Sequence, residues 1–341
     1  MSAVDTRPHA QGPGPRRNML ARAVIGVPEL KRLAVLVFVI AVFGYLNPNF
    51  LRTQSMAAII QAMSLIGIVA VGQTMLIIAG EFDLSVGSTA ALASAVAGIV
   101  ATHQVEGANL AVVPGVDPVV AIVIGLATGM AVGAVNAAVV LVGRIPSFIA
   151  TIAMLGIARG LTSYVSGAKA MRVPDMGQLG WLDTQQVSLS VALMLVLIVA
   201  GHFVIVRTNF GRTICATGSN PEAARIAGVN TARVKATLFV FTGLLSGLAG
   251  VITNIHFKST TIGTGLGWEL LAVAAVVVGG TSLFGGGGTL IGTLIGLAIL
   301  QSITSGLVVI HIDPWWQQVL IGLIMLFSVS IDSIRRRGTP R

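Results

Sequence analysis

Apolar segments of membrane-spanning length follow one another through most of the chain. A hydrocarbon core of about 30 Å requires roughly 20 apolar residues in a helix. Dividing the 341 residues by that length gives about ten spans, and 55% hydrophobic against 10% charged residues leaves too little polar surface for a soluble protein. The sequence therefore predicts an all-α, polytopic membrane protein. The predicted spans are 32–47, 56–80, 86–103, 117–142, 146–167, 187–206, 236–255, 268–284, 288–309 and 314–333.

Lysine and arginine are distributed unequally between the two sides of these spans. With the N-terminus in the cytoplasm, 16 of the 21 basic residues lie on the cytoplasmic side, 4 lie on the opposite side, and Arg159 falls within a span. Because basic residues are retained on the cytoplasmic side, both termini are predicted to be cytoplasmic. The predicted organisation is a disordered basic N-terminus at 1–30, one transmembrane domain at 31–334 and a basic tail at 335–341.

The segment 207–235 is the one sizeable polar segment predicted on the cytoplasmic side between two spans, and it contains the signature of a short helix. Its signature residues are Ser219 or Asn220 at the N-cap, Pro221 and Glu222 in the first turn, and Gly228 at the end. A helix of about seven residues is too short to be stable alone and needs support from the membrane domain or from a partner. Two interpretations stay open: an ordinary loop helix, or a rigid element that transmits movement from a soluble partner.

Four blocks of sequence carry a resemblance to a known family. Within the polar segment, Glu222, Ala223, Ala224 and Gly228 match the E-A-A-x-x-x-G pattern of the cytoplasmic loop in ABC importer permeases. From about residue 35 to 330, the chain resembles the ribose-type, carbohydrate-uptake branch of these permeases. The four blocks are VGQTMLIIAGEFDLSVGS, PSFIATIAMLGIARGLT, GRTICATGSNPEAARIAGVN and AVVVGGTSLFGGGGTLIGTLIG.

The resemblance implies a type II-like ABC importer permease fold with ten spans in the bacterial inner membrane. It also implies three protein partners: a cytoplasmic ATPase subunit, a periplasmic sugar-binding protein and a second permease copy, identical or different. In this interpretation Asn220, Pro221 and Glu222 belong to an ATPase-coupling helix. The chain contains no Gly-Lys dipeptide and hence no phosphate-binding loop, so ATP is expected on the partner. No reaction, cofactor, metal or nucleic acid is predicted for this chain.

Two carboxylates, Glu81 and Asp83, stand in an otherwise apolar stretch. An ionised side chain in the hydrocarbon region costs several kcal/mol, about 2.5–3.5 on insertion scales, so such acids normally face a cavity, a partner or the interface. Asp83 and Ser85 can cap the start of the next helix and are assigned to a structural junction. Glu81 has no local backbone partner and is assigned to the substrate pathway. Arg159 is a candidate partner for either acid, or it extends to the outer interface.

A neutral sugar requires a pathway with sparse hydrogen-bond donors and acceptors. The candidates are Gln73, Thr74, Glu81, Asn136, Ser147, Thr151 and Glu269. For each of them alone, an interhelical hydrogen bond is the alternative role. Trp268 is either a sugar-stacking residue or a member of an aromatic belt at the outer boundary.

The predicted function is the permease subunit of an ATP-driven importer of a ribose-like or xylose-like monosaccharide or a related polyol. A branched-chain amino-acid permease is the alternative within the same class, because a zwitterion suits an additional carboxylate. Glu81 departs from many sugar-permease relatives, which have Gly-Ile before Asp-Leu-Ser. An ion-driven transporter, with Glu81 and Asp83 carrying coupling protons, and a membrane scaffold without transport activity are the alternatives from other classes.

Overall fold

The computed structural model describes residues 28–102, 116–173 and 188–337, and these are mostly helical. The helices are α1 (Pro28–Leu46), α2 (Thr53–Ile78), α3 (Val86–Ala101), α4 (Pro118–Leu141), α5 (Ser147–Ser166), α6 (Leu189–Arg207), α7 (Asn209–Ser219), α8 (Pro221–Ile226), α9 (Thr231–Phe257), α10 (Trp268–Val278), α11 (Leu290–Val309) and α12 (Pro314–Arg337). A 3₁₀ turn, Pro48–Leu51, joins α1 to α2. Two short antiparallel strands, β1 (Met171–Arg172) and β2 (Ser259–Thr260), pair with each other.

Six of the described helices are long and apolar enough to cross a bilayer: α2, α4, α5, α6, α9 and α11. The predicted helical, multi-pass membrane protein is thus confirmed. The count of ten spans and the side on which each terminus lies stay predictions. The N-terminal segment predicted to be disordered lies outside the described residues up to position 27, as do residues 338–341 of the predicted tail.

Helix α10 is shorter than the sequence predicted. The apolar run indicated a span at 268–284, but the helix ends at Val278. Two glycines follow, and the second, Gly280, has φ +82°, a conformation that terminates a helix. With 11 residues, α10 has a length of about 16 Å, roughly half of the hydrocarbon thickness.

Helix α9 lies at the centre of the bundle, where it packs against α2, α3 and α4. Glycines permit a close approach: a Cβ added to Gly129 of α4 would lie 2.3 Å from the carbonyl oxygen of Gly243 in α9. In a bilayer, such small residues allow helix backbones to pack tightly without a hydrophobic driving force between them.

The chain between β2 and α10 enters the bundle. Gly265 is buried against Gly87 in the first turn of α3, and a Cβ on Gly265 would lie 2.2 Å from the carbonyl oxygen of Gly87. Both Gly265 and Gly267 have positive φ, +69° and +81°. Helix α10 therefore begins inside the protein, against the start of another helix.

Candidate functional site

Helix α8 forms a capped, exposed rod between α7 and α9. The Asn220 Oδ1 accepts the backbone N–H groups of Glu222 at 3.1 Å and Ala223 at 3.0 Å. At the other end Gly228 has φ +85°, and the N–H of Val229 donates to the carbonyl oxygen of Ala224 at 2.9 Å. The left-handed Gly228 and the bond from Val229 to Ala224 are the features of a Schellman C-cap. The short helix predicted here is confirmed, with Asn220 as its cap; its contact with an ATPase stays a prediction.

The outer surface of α8 carries an apolar side chain that the sequence analysis missed. Ile226 is 86% exposed, next to the exposed Glu222 and Arg225, whereas Ala224 is buried against the bundle. The signal in the sequence was a single large apolar residue at the end of an otherwise small and polar helix. A single exposed apolar side chain is common on protein surfaces, so Ile226 becomes a candidate contact only together with the resemblance of this segment to a coupling loop.

Helix α7, which precedes α8, packs against the end of α2. Gly218 lies so close that an added Cβ would lie 1.8 Å from the carbonyl oxygen of Ile78. The same oxygen accepts the N–H of Gly286 at 2.8 Å, from the loop between α10 and α11. Three segments that are distant in sequence therefore meet at one end of the bundle.

Glu81 lies at this end and forms an ion pair. Its Oε1 is 2.5 Å from the Nζ of Lys235, in the second turn of α9, and the two side chains are only 11% and 18% exposed. Arg159 lies elsewhere: its Nη1 donates to the carbonyl oxygens of Ile262 at 2.6 Å and Thr264 at 2.8 Å. The hypothesis that Arg159 pairs with Glu81 or Asp83 is wrong, because this part of α5 lies beside the segment that precedes α10.

Asp83 is buried at the centre of a hydrogen-bonded cluster. Its Oδ1 accepts the backbone N–H of Ser85 at 2.8 Å and the Ser85 hydroxyl at 2.6 Å. The Asn136 amide of α4 donates to Asp83 Oδ2 at 3.3 Å and to Ser85 Oγ at 2.9 Å. In addition, Ser147 Oγ accepts the N–H of Phe82 at 3.2 Å. Thr151 Oγ1 accepts the N–H of Leu84 at 3.1 Å.

Three of the predicted pathway residues, Asn136, Ser147 and Thr151, therefore surround the junction between α2 and α3. Their polar groups satisfy the junction's backbone and the Asp83 carboxylate. Because irregular backbone inside a bilayer must be satisfied by protein groups, this cluster explains how α2 can stop and α3 restart within the bundle.

Gln73 lies deeper in the bundle and has a different environment. It is fully buried, and neither atom of its amide has a hydrogen-bond partner among the described residues; the same holds for Thr242 Oγ1 on α9. By contrast, its neighbour Thr74 donates to the carbonyl oxygen of Ala70 at 2.6 Å and contacts Thr293 Oγ1 at 2.9 Å. An unpaired buried amide is costly, so Gln73 is the stronger candidate for contact with a transported molecule or water.

Polar residues lie on either side of Thr242 along α9. On α9, Lys235, Thr242 and Thr253 are spaced by 7 and 11 residues, which places them on one face of the helix. Gln73 shares a face of α2 with Ile66 by the same periodicity. Between the helices, Gly72 packs on Thr242, and an added Cβ would lie 2.7 Å from Thr242 Oγ1. We call the row of Lys235, Thr242 and Thr253 on α9 the polar stripe; Gly72 of α2 packs on Thr242 and covers its middle.

A cavity of about 580 Å³ lies at the end of this stripe opposite to Glu81, between α2, α9 and α11. Trp268 and Gln301 line it together with Thr253 and the 259–265 segment. The side chain of Glu269, the residue after Trp268, lies against Gly87 at the start of α3, and its charge interacts with that of Arg159. Of the predicted pathway residues, Glu81 and Glu269 therefore belong to different parts of the molecule.

Comparisons with known proteins identify the family of the chain. A family described as branched-chain amino acid transport system, permease component, matches residues 55–329. The chain belongs to this permease family. The match runs from α2 into α12 and includes the candidate residues described above.

The permease is similar over most of its length to proteins named as sugar transporters. It is 35% identical to the ribose import permease protein of Escherichia coli strain K12 over 311 residues, which cover 89% of this chain and 94% of the relative. It is 33% identical to the L-arabinose ABC transporter permease protein of Azospirillum brasilense, covering 93% and 92% of the two chains. It is 32% identical to the fructose import permease protein of Rhizobium meliloti, covering 91% and 86%. No solved structure matches the permease.

Proposed function

We propose that this permease is the membrane subunit of an ABC importer that carries a monosaccharide into the cytoplasm. The observation that carries the proposal is the similarity along about nine tenths of the chain to relatives whose names specify ribose, arabinose and fructose uptake. Two of the buried polar groups without a hydrogen-bond partner among the described residues, the Gln73 amide and the Thr242 hydroxyl, are neutral groups of the kind that suits a sugar.

In this proposal the permease has ten spans with both termini in the cytoplasm of a bacterium and lies in the inner membrane. The unequal distribution of basic residues supports this orientation. It places α8 and the Glu81–Lys235 pair on the cytoplasmic side and the Trp268 cavity on the periplasmic side. A sugar-binding protein would deliver substrate there, and a second permease copy, identical or different, would complete the transporter.

The substrate would move along the polar stripe between α2 and α9. Entering at the cavity, it would pass Gln73 and Thr242 once the Gly72 contact has opened. Sparse hydrogen-bonding groups suit this task, because a sugar must be bound weakly enough to leave. The junction residues Asn136, Ser147 and Thr151 would shape the route by holding α3 in place.

Energy would reach this route through α8. Glu222, Arg225 and Ile226 offer an exposed surface to an ATPase subunit, which would bind the ATP. Because α8 is followed directly by α9, a displacement of α8 would move Lys235. Its ion pair with Glu81 would pass that movement to the junction between α2 and α3.

A branched-chain amino acid is the second candidate substrate, since the matching family is described by that transport activity. A free carboxylate at Glu81 would suit a zwitterionic substrate. The ion pair with Lys235 disfavours that substrate, because the Glu81 carboxylate already has a counter-ion.

Uptake measurements separate these functions. Cells of the source organism with and without the gene would be supplied with radiolabelled D-ribose, D-xylose, L-arabinose, D-fructose or L-leucine. We expect the gene to be required for one or more sugars and uptake to persist when an uncoupler is added but ATP is maintained. Loss of leucine uptake alone would favour the amino-acid function, and uptake abolished by the uncoupler at constant ATP would favour an ion-driven transporter.

A further inference from the structure

The cavity near Trp268 has the chemistry of a small-molecule site. Its volume of about 580 Å³ falls within the range of about 300–1,000 Å³ typical of ligand pockets. Among the described residues that line it, none carries a charge; they supply an indole, hydroxyl groups, one primary amide and apolar carbon.

We infer that this cavity is a monosaccharide-binding site of the permease itself. The inference rests on the proposed function and adds that selection among sugars occurs in the membrane subunit as well as in a binding protein. A ring sugar has a face of C–H groups and a rim of hydroxyls. Trp268 offers a flat apolar surface for the face, and Thr253, Thr261, Thr264 and Gln301 offer donors and acceptors for the rim.

The protein holds one wall of the cavity in a fixed shape. Arg159 donates to the carbonyl oxygens of Ile262 and Thr264, on either side of Gly263 in that wall. Gly265 and Gly267 adopt left-handed backbone conformations that lead directly into Trp268. A pocket that is already formed loses less conformational entropy when a ligand binds, so this anchoring favours recognition.

The cavity also connects to the interior in a consistent way. Ile66, in its wall, lies on the same face of α2 as Gln73, seven residues or about 10 Å further along the helix. Thr253, also in its wall, lies on the same face of α9 as Thr242. Gly72 and Thr242 close the stripe at that depth. A sugar bound in the cavity would therefore be separated from the other end of the polar stripe by the contact between Gly72 and Thr242.

Direct binding tests the inference. The permease would be purified with its ATPase subunit in lipid nanodiscs without a binding protein, and titrated with the radiolabelled sugar that the wild-type transporter imports. We expect saturable binding that weakens about tenfold in Trp268→Ala and in Gln301→Leu, since each removes a contact worth about 1.4 kcal/mol. Trp315→Ala is the matched control, because Trp315 is 77% exposed on α12 and should leave binding unchanged.

Transport with an unaltered binding protein provides the second measurement. Gln301→Leu should change the ratio of uptake rates for two sugars by about fivefold or more, because an unpaired sugar hydroxyl is penalised differently in each. Trp268→Phe, which keeps an aromatic face, replaces Trp268→Ala if the alanine variant does not fold. Unchanged affinity and unchanged sugar ratios in folded cavity variants would overturn the inference. Sugar binding to the wild type that does not saturate would overturn it as well. A wild-type permease that imports no sugar would instead refute the proposed function.

Discussion

The Lys235 ammonium lies 2.5 Å from the Glu81 carboxylate and joins the start of α9 to the junction between α2 and α3. Both side chains are largely buried, so solvent screens the pair little. Lys235 is nine residues after the end of α8, and Glu81 is two residues before Asp83. The pair is therefore a direct contact between the proposed ATPase-coupling segment and the polar junction inside the bundle.

Breaking this pair should uncouple ATP hydrolysis from uptake. In Glu81→Gln or Lys235→Gln the remaining charge stays buried without its partner, so we expect uptake to fall by about tenfold, which corresponds to about 1.4 kcal/mol. The exchanged pair, Glu81→Lys with Lys235→Glu, should recover a large part of the activity. A double-mutant cycle on substrate-stimulated ATPase activity should give a coupling energy of about 1–3 kcal/mol. Additive effects in that cycle would show that the ion pair does not transmit the movement.

Asp83 should contribute to stability. In Asp83→Ala the Ser85 N–H loses its acceptor and the Asn136 amide loses a partner, and we expect a loss of about 2–4 kcal/mol in the free energy of unfolding. Thermal unfolding of the purified permease measures it. Asp117→Ala is the matched control: the Asp117 side chain caps α4 by accepting the Val119 N–H at 2.8 Å, but it is exposed. Its loss should be about 0.5–2 kcal/mol. Equal losses in the two variants, or a well-folded but inactive Asp83→Ala, would contradict a mainly structural role.

Local features of the fold could be predicted from the sequence because their determinants lie close together. The helix α8 is one example, since Asn220, Pro221 and Gly228 specify its two ends within a few residues. The end of α10 is the opposite case. Gly279 and Gly280 favour an end near 278, but the length required of a membrane span favours a helix to 284, and the two signals conflict in the sequence.

Contacts between helices could not be predicted in the same way. Glu81 and Lys235 are 154 residues apart, and apolar helices of similar composition give no indication of which faces meet. The small residues at the interface, such as Gly129 and Gly243, set those contacts by allowing close approach. For the same reason the sequence offers Glu81 and Asp83 as partners of Arg159, whereas the guanidinium lies beside the chain that precedes α10.

The C-cap of α8 should depend on the backbone of Gly228. This residue has φ +85°, and a Cβ added to it would meet no other atom within 4 Å, so a substitution is penalised only through its conformation. Gly228→Val should cost about 1–2 kcal/mol locally and reduce uptake, whereas Gly228→Asn, which tolerates this conformation, should retain most of it. The amount of each variant in the membrane should match that of the wild type. Equal uptake in the two variants would argue that the end of α8 has no part in transport.

Ile226 should be a central contact for the ATPase subunit. Its side chain is 86% exposed, so Ile226→Ser should leave thermal stability unchanged. If the side chain is buried on association, we expect the affinity for the ATPase subunit to fall by about tenfold or more. Val142→Ser is the matched control, because Val142 is also apolar and 83% exposed, and it lies just after the last residue of α4. Pull-down of the ATPase subunit by each variant measures the difference, and equal recovery by both would exclude Ile226 from the interface.

Arg159 should act on the cavity through the wall that it anchors. The Arg159 Nη1 donates to the carbonyl oxygens of Ile262 at 2.6 Å and Thr264 at 2.8 Å. Lysine has a shorter side chain with a compact ammonium group, so it cannot reproduce the planar geometry of the guanidinium. In Arg159→Lys we expect the KM for uptake to rise about fivefold with a smaller change in maximal rate, since the wall loses its fixed shape. Because Arg159 does not select among sugar hydroxyls, the ratio of uptake rates for two sugars should stay constant, unlike in Gln301→Leu. Arg144→Lys, at an exposed position between α4 and α5, is the matched control. A changed sugar ratio in Arg159→Lys would instead indicate direct contact between this guanidinium and the substrate.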